Sequence, residues 1–168
     1  MNKKIIFYII LSFLLSQISF SAGSSSGSGD SNIDKKKIDI NYKKALKLIN
    51  KAKKLEKRNK PIEAKEKYGD ALENLLSSYE RSPDDPNTLN YLGYTSRKLD
   101  DFKNAELYYL MGLKIEPNHS GINEYLGELY VITKRLDKAK ERLKVLEGCK
   151  CEEYNELKNV INTGSSKY

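Results

Sequence analysis

Residues 90–109 read NYLGYTSRKLDDFKNAELYY, and residues 124–143 read EYLGELYVITKRLDKAKERL. The second stretch starts thirty-four positions after the first, and in this register both contain a Tyr-Leu-Gly triplet, at 91–93 and at 125–127. Ala105 has its counterpart in Ala139, and Pro83 and Pro117, which are separated by the same interval, end equivalent helices. Self-similarity at this period is typical of a solenoid whose repeating unit is a pair of helices. The sequence therefore predicts an all-α repeat architecture.

The order of residues within each copy resembles the tetratricopeptide repeat (TPR) family. The family pattern is Leu-Gly, an aromatic residue three positions on, Ala with a large residue four positions later, and then Pro. One copy has Leu92-Gly93, Phe102, Ala105, Tyr109 and Pro117, but Ser96 stands where the aromatic residue is usual. The next copy has Leu126-Gly127, Tyr130, Leu136, Ala139 and Leu143. A degenerate first copy has a second helix about two turns longer than usual. The resemblance implies a right-handed α-solenoid of about three helix pairs, at 45–83, 86–119 and 120–148, plus a closing helix at 152–162.

Two glycines of the repeat stand inside predicted helices, at Gly93 and Gly127. Glycine in a helix interior costs roughly 1 kcal/mol relative to Ala. Such a cost is tolerated where the missing side chain lets a neighbouring helix approach closely. We therefore expect both glycines at close helix contacts, with core positions around them at Leu89, Leu92, Leu126 and Tyr130.

Residues 1–21 have the layout of a secretory signal peptide, with Lys3 and Lys4 followed by an apolar run and then small residues. The apolar run, Ile5 to Leu15, is about half of the ~20 residues that a membrane span needs. We expect cleavage before or after Ala22, a flexible Ser/Gly- and Lys-rich tether at 22–37, a TPR domain at 38–162 and a tail at 163–168. Together with the resemblance, this predicts an exported TPR protein of the bacterial periplasm; an uncleaved leader that anchors the chain in the inner membrane is the alternative.

The first predicted helix of the domain is strongly basic. Between Lys35 and Lys60 there are 12 Lys or Arg residues against Asp39 and Glu56. A solvated face is one interpretation, and attraction to an anionic membrane surface is the other. Nucleic acid is not expected as a partner of an exported chain. The lysines in question are Lys43, Lys44, Lys47, Lys51 and Lys54.

No pattern in the sequence indicates catalysis, a cofactor or a metal site. The single histidine, His119, falls in a loop, and there is no Ser-His-Asp or Cys-His arrangement and no Gly-rich phosphate loop. The only cysteines, Cys149 and Cys151, are separated by one residue. They leave three alternatives open: a local, easily reduced disulfide, pairing with another molecule, or redox or metal chemistry.

The resemblance implies that a ligand binds the concave face, which the first helix of each pair forms. The polar and aromatic side chains expected on that face are Asn87, Asn90, Tyr94, Arg97, Glu124 and Glu128. Because two of them are acids, a mixed or basic ligand fits better than an acidic peptide tail. The predicted function is a protein- or peptide-binding scaffold or adaptor of the cell envelope, without enzymatic activity. The alternatives are a structural subunit of an envelope complex and, less favoured, a thiol-redox helper that uses Cys149 and Cys151.

Overall fold

The computed structural model describes residues 39–164, which fold into seven α-helices and contain no strand. In chain order the helices are α1 (Ile40–Lys57), α2 (Pro61–Arg81), α3 (Pro86–Lys98), α4 (Phe102–Ile115), α5 (Ser120–Ile132), α6 (Leu136–Val145) and α7 (Glu152–Thr163). The predicted all-α class is confirmed. The expected signal peptide at 1–21 and tether at 22–37 lie outside the described residues, as does most of the expected tail, whose first residue, Thr163, belongs to α7.

The helices pack as three consecutive pairs, α1 with α2, α3 with α4 and α5 with α6. The same turn closes each pair, and it contains one residue in the left-handed region: Asn59 (φ 59°), Asp100 (φ 66°) and Lys134 (φ 61°). Asn and Asp tolerate this conformation better than most residues. Each pair packs on the next through α2 and α3 and through α4 and α5, and α7 covers α5 and α6. The described chain is thus an α-solenoid of three pairs with a closing helix.

Short-range signals explain where several helices begin. The carboxylates of Asp39, Asp85 and Asp101 accept hydrogen bonds from backbone N–H groups in the first turns of α1, α3 and α4. Pro61 and Pro86 stand at the first positions of α2 and α3, where a missing N–H costs nothing. The unusual length expected for the second helix is also present, because α2 has 21 residues and α4 has 14.

Both repeat glycines lie at close helix contacts, as predicted. A Cβ added at Gly93 would stand 2.4 Å from Cε1 of Tyr109 in α4, and one at Gly127 would stand 2.5 Å from Cδ2 of Leu157 in α7. Real Cβ atoms do not approach other atoms so closely, so a side chain at either position would force Tyr109 in α4 or Leu157 in α7 to move. The other predicted core positions are buried as well: Leu89, Leu92, Leu126 and Tyr130.

Candidate functional site

A pocket of about 400 Å³ lies beside the N-terminal halves of α3 and α5, next to the beginnings of α1 and α7 and the end of α4. Its lining combines aromatic rings, carboxylates and small polar groups, and no Lys or Arg of residues 39–164 belongs to it. The lining residues are Tyr42, Tyr91 and Tyr125; Glu116, Glu124 and Glu153; and Asn87, Asn90, His119, Ser120 and Gly121. We call it the tyrosine–glutamate pocket. Its volume falls in the range of about 300–1,000 Å³ that is typical of ligand sites.

The start of α5 is held in place by hydrogen bonds on both sides of the pocket. Nδ1 of His119 accepts from the backbone N–H of Ile122 at 3.2 Å and so caps the helix. The other ring nitrogen, Nε2, therefore carries the proton and donates to Oδ1 of Asn87 on α3, at 3.3 Å. On the opposite side, Oγ of Ser120 donates to Oε1 of Glu153 on α7, at 3.1 Å. His119, expected to be only a solvated loop residue, thus links α5 to α3.

Two buried acceptor atoms of the lining lack a hydrogen-bond partner among the described residues. They are Oδ1 of Asn90, a residue that is 6% exposed, and Oε1 of Glu124, a residue that is 3% exposed. A buried polar atom without a partner costs roughly 1–3 kcal/mol, and native structures contain few of them. In the wall of a pocket, this unused capacity is what a site that binds a polar ligand requires.

Glu124 is a neutral carboxylic acid at neutral pH. Burial, a hydrogen bond with Glu156 and the negative charges of Glu128, Glu156 and Glu153 raise the pKa of its carboxyl group to about 10. The largest of these causes is burial, which disfavours the charged form. The hydrogen bond with Glu156 uses the proton of Glu124, which leaves Oε1 of Glu124 as an acceptor in the pocket wall.

Beneath the pocket, charged and aromatic side chains from the first helix of each pair form a buried layer. Nη1 of Arg97 on α3 pairs with Oε2 of Glu128 on α5 at 2.8 Å, and these side chains are 2% and 0% exposed. The guanidinium of Arg97 lies 5.6 Å from the ring centroid of Tyr94 and 5.7 Å from that of Tyr125. From α1, Nζ of Lys53 lies 4.8 Å from the Tyr94 centroid. This layer joins α1, α3 and α5, and it shares Tyr125 with the lining of the pocket.

The structure separates the six side chains that the sequence predicted for the ligand face. Asn87, Asn90 and Glu124 line the tyrosine–glutamate pocket, whereas Tyr94, Arg97 and Glu128 do not. The sequence placed all six on the ligand face, but only Asn87 is exposed, and the other five are at most 6% exposed: Asn90, Tyr94, Arg97, Glu124 and Glu128. The physical reason is that the first helices of adjacent pairs, α3 and α5, pack on each other and enclose these side chains.

The charge expected from this set also changes. Glu128 is compensated by Arg97, and Glu124 holds a proton, so neither acts as the free carboxylate that was expected to repel an acidic ligand. The negative character of the pocket comes instead from Glu116 and Glu153, which sequence reasoning did not select.

Some of the missed lining residues were within reach of the sequence. Tyr91 and Tyr125 are separated by one repeat period, as are Asn90 and Glu124, so each pair occupies equivalent positions of α3 and α5. No repeat relation connects Tyr42, Glu116 or Glu153 to these positions. Only the packing of the helices brings them to one pocket.

Cys149 and Cys151 form a disulfide with each other, with their Cα atoms 5.2 Å apart. This bond closes the connection between α6 and α7, and it is the first of the three alternatives that the sequence left open. Among residues 39–164 there is no group of three or more His, Cys, Asp or Glu side chains that could hold a metal ion.

The basic side chains of α1 form an exposed surface. All five lysines singled out in the sequence are exposed: Lys43, Lys44, Lys47, Lys51 and Lys54. None of the described helices is both long enough and apolar enough to cross a membrane.

Comparison with known proteins adds the fold family. No protein-family model and no curated protein matches the chain. Among solved structures, the first TPR domain of Spaghetti (RPAP3), bound to the HSP90 peptide SRMEEVD, superposes with a TM-score of 0.53 at 22% identity, over 74% of this chain and 96% of that one. The chain has the tetratricopeptide-repeat fold.

A second solved structure with this TPR fold is the Yersinia enterocolitica type III secretion translocator chaperone SycD. It superposes with a TM-score of 0.53 at 15% identity, over 82% of this chain and 94% of that one. SycD in complex with a peptide of the translocator YopD gives a TM-score of 0.52 at 15% identity, over 73% of this chain and 89% of that one. At these identities the likeness establishes the fold alone.

Proposed function

We propose that this TPR-fold chain is a non-enzymatic binding protein that holds a peptide segment of a protein partner in the tyrosine–glutamate pocket. The observation that carries the proposal is the pair of buried acceptors, Oδ1 of Asn90 and Oε1 of Glu124, left without partners in the pocket wall. Similar folds that hold peptides, RPAP3 with its HSP90 peptide and SycD with its YopD peptide, support the same class of ligand.

An extended peptide suits this lining chemically. Each peptide unit has an N–H group, and Oδ1 of Asn90 and Oε1 of Glu124 are acceptors for such groups. The rings of Tyr42 and Tyr91, 5.9 Å apart in an edge-to-face arrangement, offer apolar area to side chains of the peptide. The pocket therefore matches both the backbone and the side chains of a ligand.

The test is selection of binding peptides with the whole chain. A random dodecamer library displayed on phage is enriched on the immobilised protein, and the enriched peptides are synthesised and titrated by calorimetry. The variant Asn90→Ala should weaken binding by about tenfold, because a polar contact worth roughly 1.4 kcal/mol is lost. The variant Lys103→Ala, on exposed α4 surface, is the matched control. Absence of enrichment, or peptides that bind Asn90→Ala as tightly as the parent, would overturn the proposal.

For the cellular location we propose the bacterial periplasm, with the leader removed before or after Ala22. The signal-peptide layout of residues 1–21 supports this, and so does the disulfide, since disulfides persist in oxidising compartments. Osmotic-shock fractionation followed by mass spectrometry of the intact protein tests both points. A chain that keeps Met1 and stays in the membrane fraction would support the anchored alternative, and a chain in the cytoplasm would refute export.

A second surface supports contact with an anionic membrane. The five exposed lysines of α1 attract acidic headgroups at about 1 kcal/mol for each side chain near the surface. At low salt the protein should sediment with phosphatidylglycerol vesicles but not with phosphatidylcholine vesicles. A variant with all five lysines replaced by Gln should sediment with neither. If the Gln variant sediments equally, the lysines are only a solvated face. Co-purification in a fixed stoichiometry with envelope proteins would instead favour a structural subunit.

A further inference from the structure

We propose that the tyrosine–glutamate pocket selects a basic side chain, Lys or Arg, of the bound peptide. This inference rests on the proposed function, since it specifies the ligand of the same site. It goes beyond the peptide class by naming the group that enters the pocket: an alkylammonium or guanidinium cation between carboxylates and tyrosine rings.

The first argument is the imbalance of charge in the lining. Besides the neutral Glu124, the acids Glu116 and Glu153 line the pocket, and no Lys or Arg among the described residues does. The carboxylate of Glu153 accepts a hydrogen bond from the hydroxyl of Ser120, a neutral group that does not offset its charge. A pocket whose walls carry one sign of charge attracts the opposite sign, because low-dielectric walls concentrate the field.

The second argument is that the two cations closest to the tyrosine rings of the site, Arg97 and Lys53, are engaged within the protein. Arg97 is paired with Glu128 at 2.8 Å, beneath the pocket and not in its lining. Lys53 on α1 stands over the ring of Tyr94, and although Glu124 attracts its ammonium group, burial lowers the pKa of Lys53. Among residues 39–164, no Lys or Arg side chain lines the pocket, which leaves that place to the cation of a ligand.

The third argument is the unused acceptor capacity. Oε1 of Glu124 and Oδ1 of Asn90 have no partner among the described residues, and both belong to residues that are more than nine-tenths buried. A guanidinium has five N–H donors and an ammonium has three, so a single basic side chain can satisfy both oxygens. Tyrosine rings favour the same ligand, because a cation within about 6 Å of a ring centroid is attracted to its face.

Binding of a cation should also displace the proton of Glu124. The charged groups around this carboxyl are Lys53 from α1, Glu128 from α5, Glu153 and Glu156 from α7, and Glu116 in the lining. In the free protein the acids and burial hold the proton on Glu124. A positive charge beside the carboxyl favours its ionised form, so the proton passes to the buffer as the cation binds.

The experiment uses the peptides enriched on the whole protein, N-acetylated so that the terminal amine is excluded as the cation. Each Arg is replaced by citrulline and each Lys by norleucine, which keep the approximate shape and remove the charge. The neutral analogue should bind at least about tenfold more weakly. Titration in two buffers of different ionisation enthalpy should show net release of protons on binding, and the release should grow as the pH rises above 7.

Protein variants separate the pocket from the rest of the surface. Glu153→Gln should lower the affinity for the basic peptide and leave that for its neutral analogue unchanged, and Glu124→Gln should abolish proton release. Glu141→Gln, on exposed α6 surface, is the matched control and should do neither. Three outcomes would overturn the basic-side-chain inference while leaving peptide binding intact. The enriched peptides could share no basic residue, the neutral analogue could bind equally well, or binding could require a free terminal amine. No enriched peptide at all would overturn the proposed function.

Discussion

Replacement of Glu124 by Gln should make the protein more stable at neutral pH, by an amount that grows as the pH rises. Gln has nearly the shape of protonated Glu and keeps a donor and an acceptor, but it has no proton to lose. The variant therefore isolates the free energy of holding a neutral acid in the fold. Glu124 is only 3% exposed, so water screens its charge very little.

The sign follows from linkage. The folded-state pKa of Glu124 is raised from its ordinary value of 4.5 to about 10, so between these values the folded chain keeps a proton that the unfolded chain releases. The free energy of unfolding then falls with rising pH, by at most about 1.4 kcal/mol per pH unit for one proton. Between pH 5 and pH 7 this amounts to about 3 kcal/mol. Glu124→Gln removes this contribution, so the stability difference between variant and parent should widen by up to that amount.

The assay is urea unfolding followed by far-ultraviolet circular dichroism at pH 5, 6, 7 and 8, for the parent, Glu124→Gln and the control Glu141→Gln. Other carboxylates titrate in the same range, and for this reason the informative quantity is the difference between variant and parent. A difference that stays constant from pH 5 to pH 8 would refute the reasoning, since it would mean that Glu124 is already ionised in the folded protein. The Glu141→Gln difference should be flat.

Substitutions at two glycines and at one buried ion pair test the packing. Gly93→Ala should destabilise the fold by about 1–2 kcal/mol, because the clash with the buried ring of Tyr109 outweighs the gain in helix propensity, and the melting temperature should fall. Gly69 also lies within a helix, but no atom lies within 4 Å of a Cβ added there, so Gly69→Ala should stabilise the fold by up to about 1 kcal/mol. Equal melting temperatures for the two alanine variants would contradict the close contact at Gly93. Arg97→Met should cost about 3–5 kcal/mol in urea unfolding, since the carboxylate of Glu128 loses its buried counter-charge, and the double variant Arg97→Met/Glu128→Met should recover most of that loss. A double variant no more stable than Arg97→Met would show that the layer depends on the ion pair itself.

The helices and their pairing were predictable because their signals are local. Asp101 and Pro61 mark helix starts within a few residues, and the glycine at 93 returns at 127 with the period of a helix pair. These patterns depend on neighbours one or two turns away, which a single sequence displays directly. The number of pairs follows from the length of chain that repeats.

The candidate site was less accessible, and the side chains of α3 and α5 show why. A sequence places Arg97 and Glu128 on helix faces that carry polar residues, and polar residues are mostly exposed. Whether a helix of the neighbouring pair covers that face depends on distances between helices, which no local pattern contains. The prediction therefore had the right helices but the wrong exposure for five of six side chains.

The sequence by itself determined a helical repeat with the period of one helix pair, the glycines at its close contacts and a basic first helix. Only the tertiary structure decided that Glu124 is a neutral acid in the wall of a pocket, because burial and the carboxylates of Glu153 and Glu156 act on it across the contact between α5 and α7. Those residues are about thirty positions apart in the chain and unrelated by the repeat. Electrostatic free energy depends on separation in space and on access of water, and both exist only once the helices have packed.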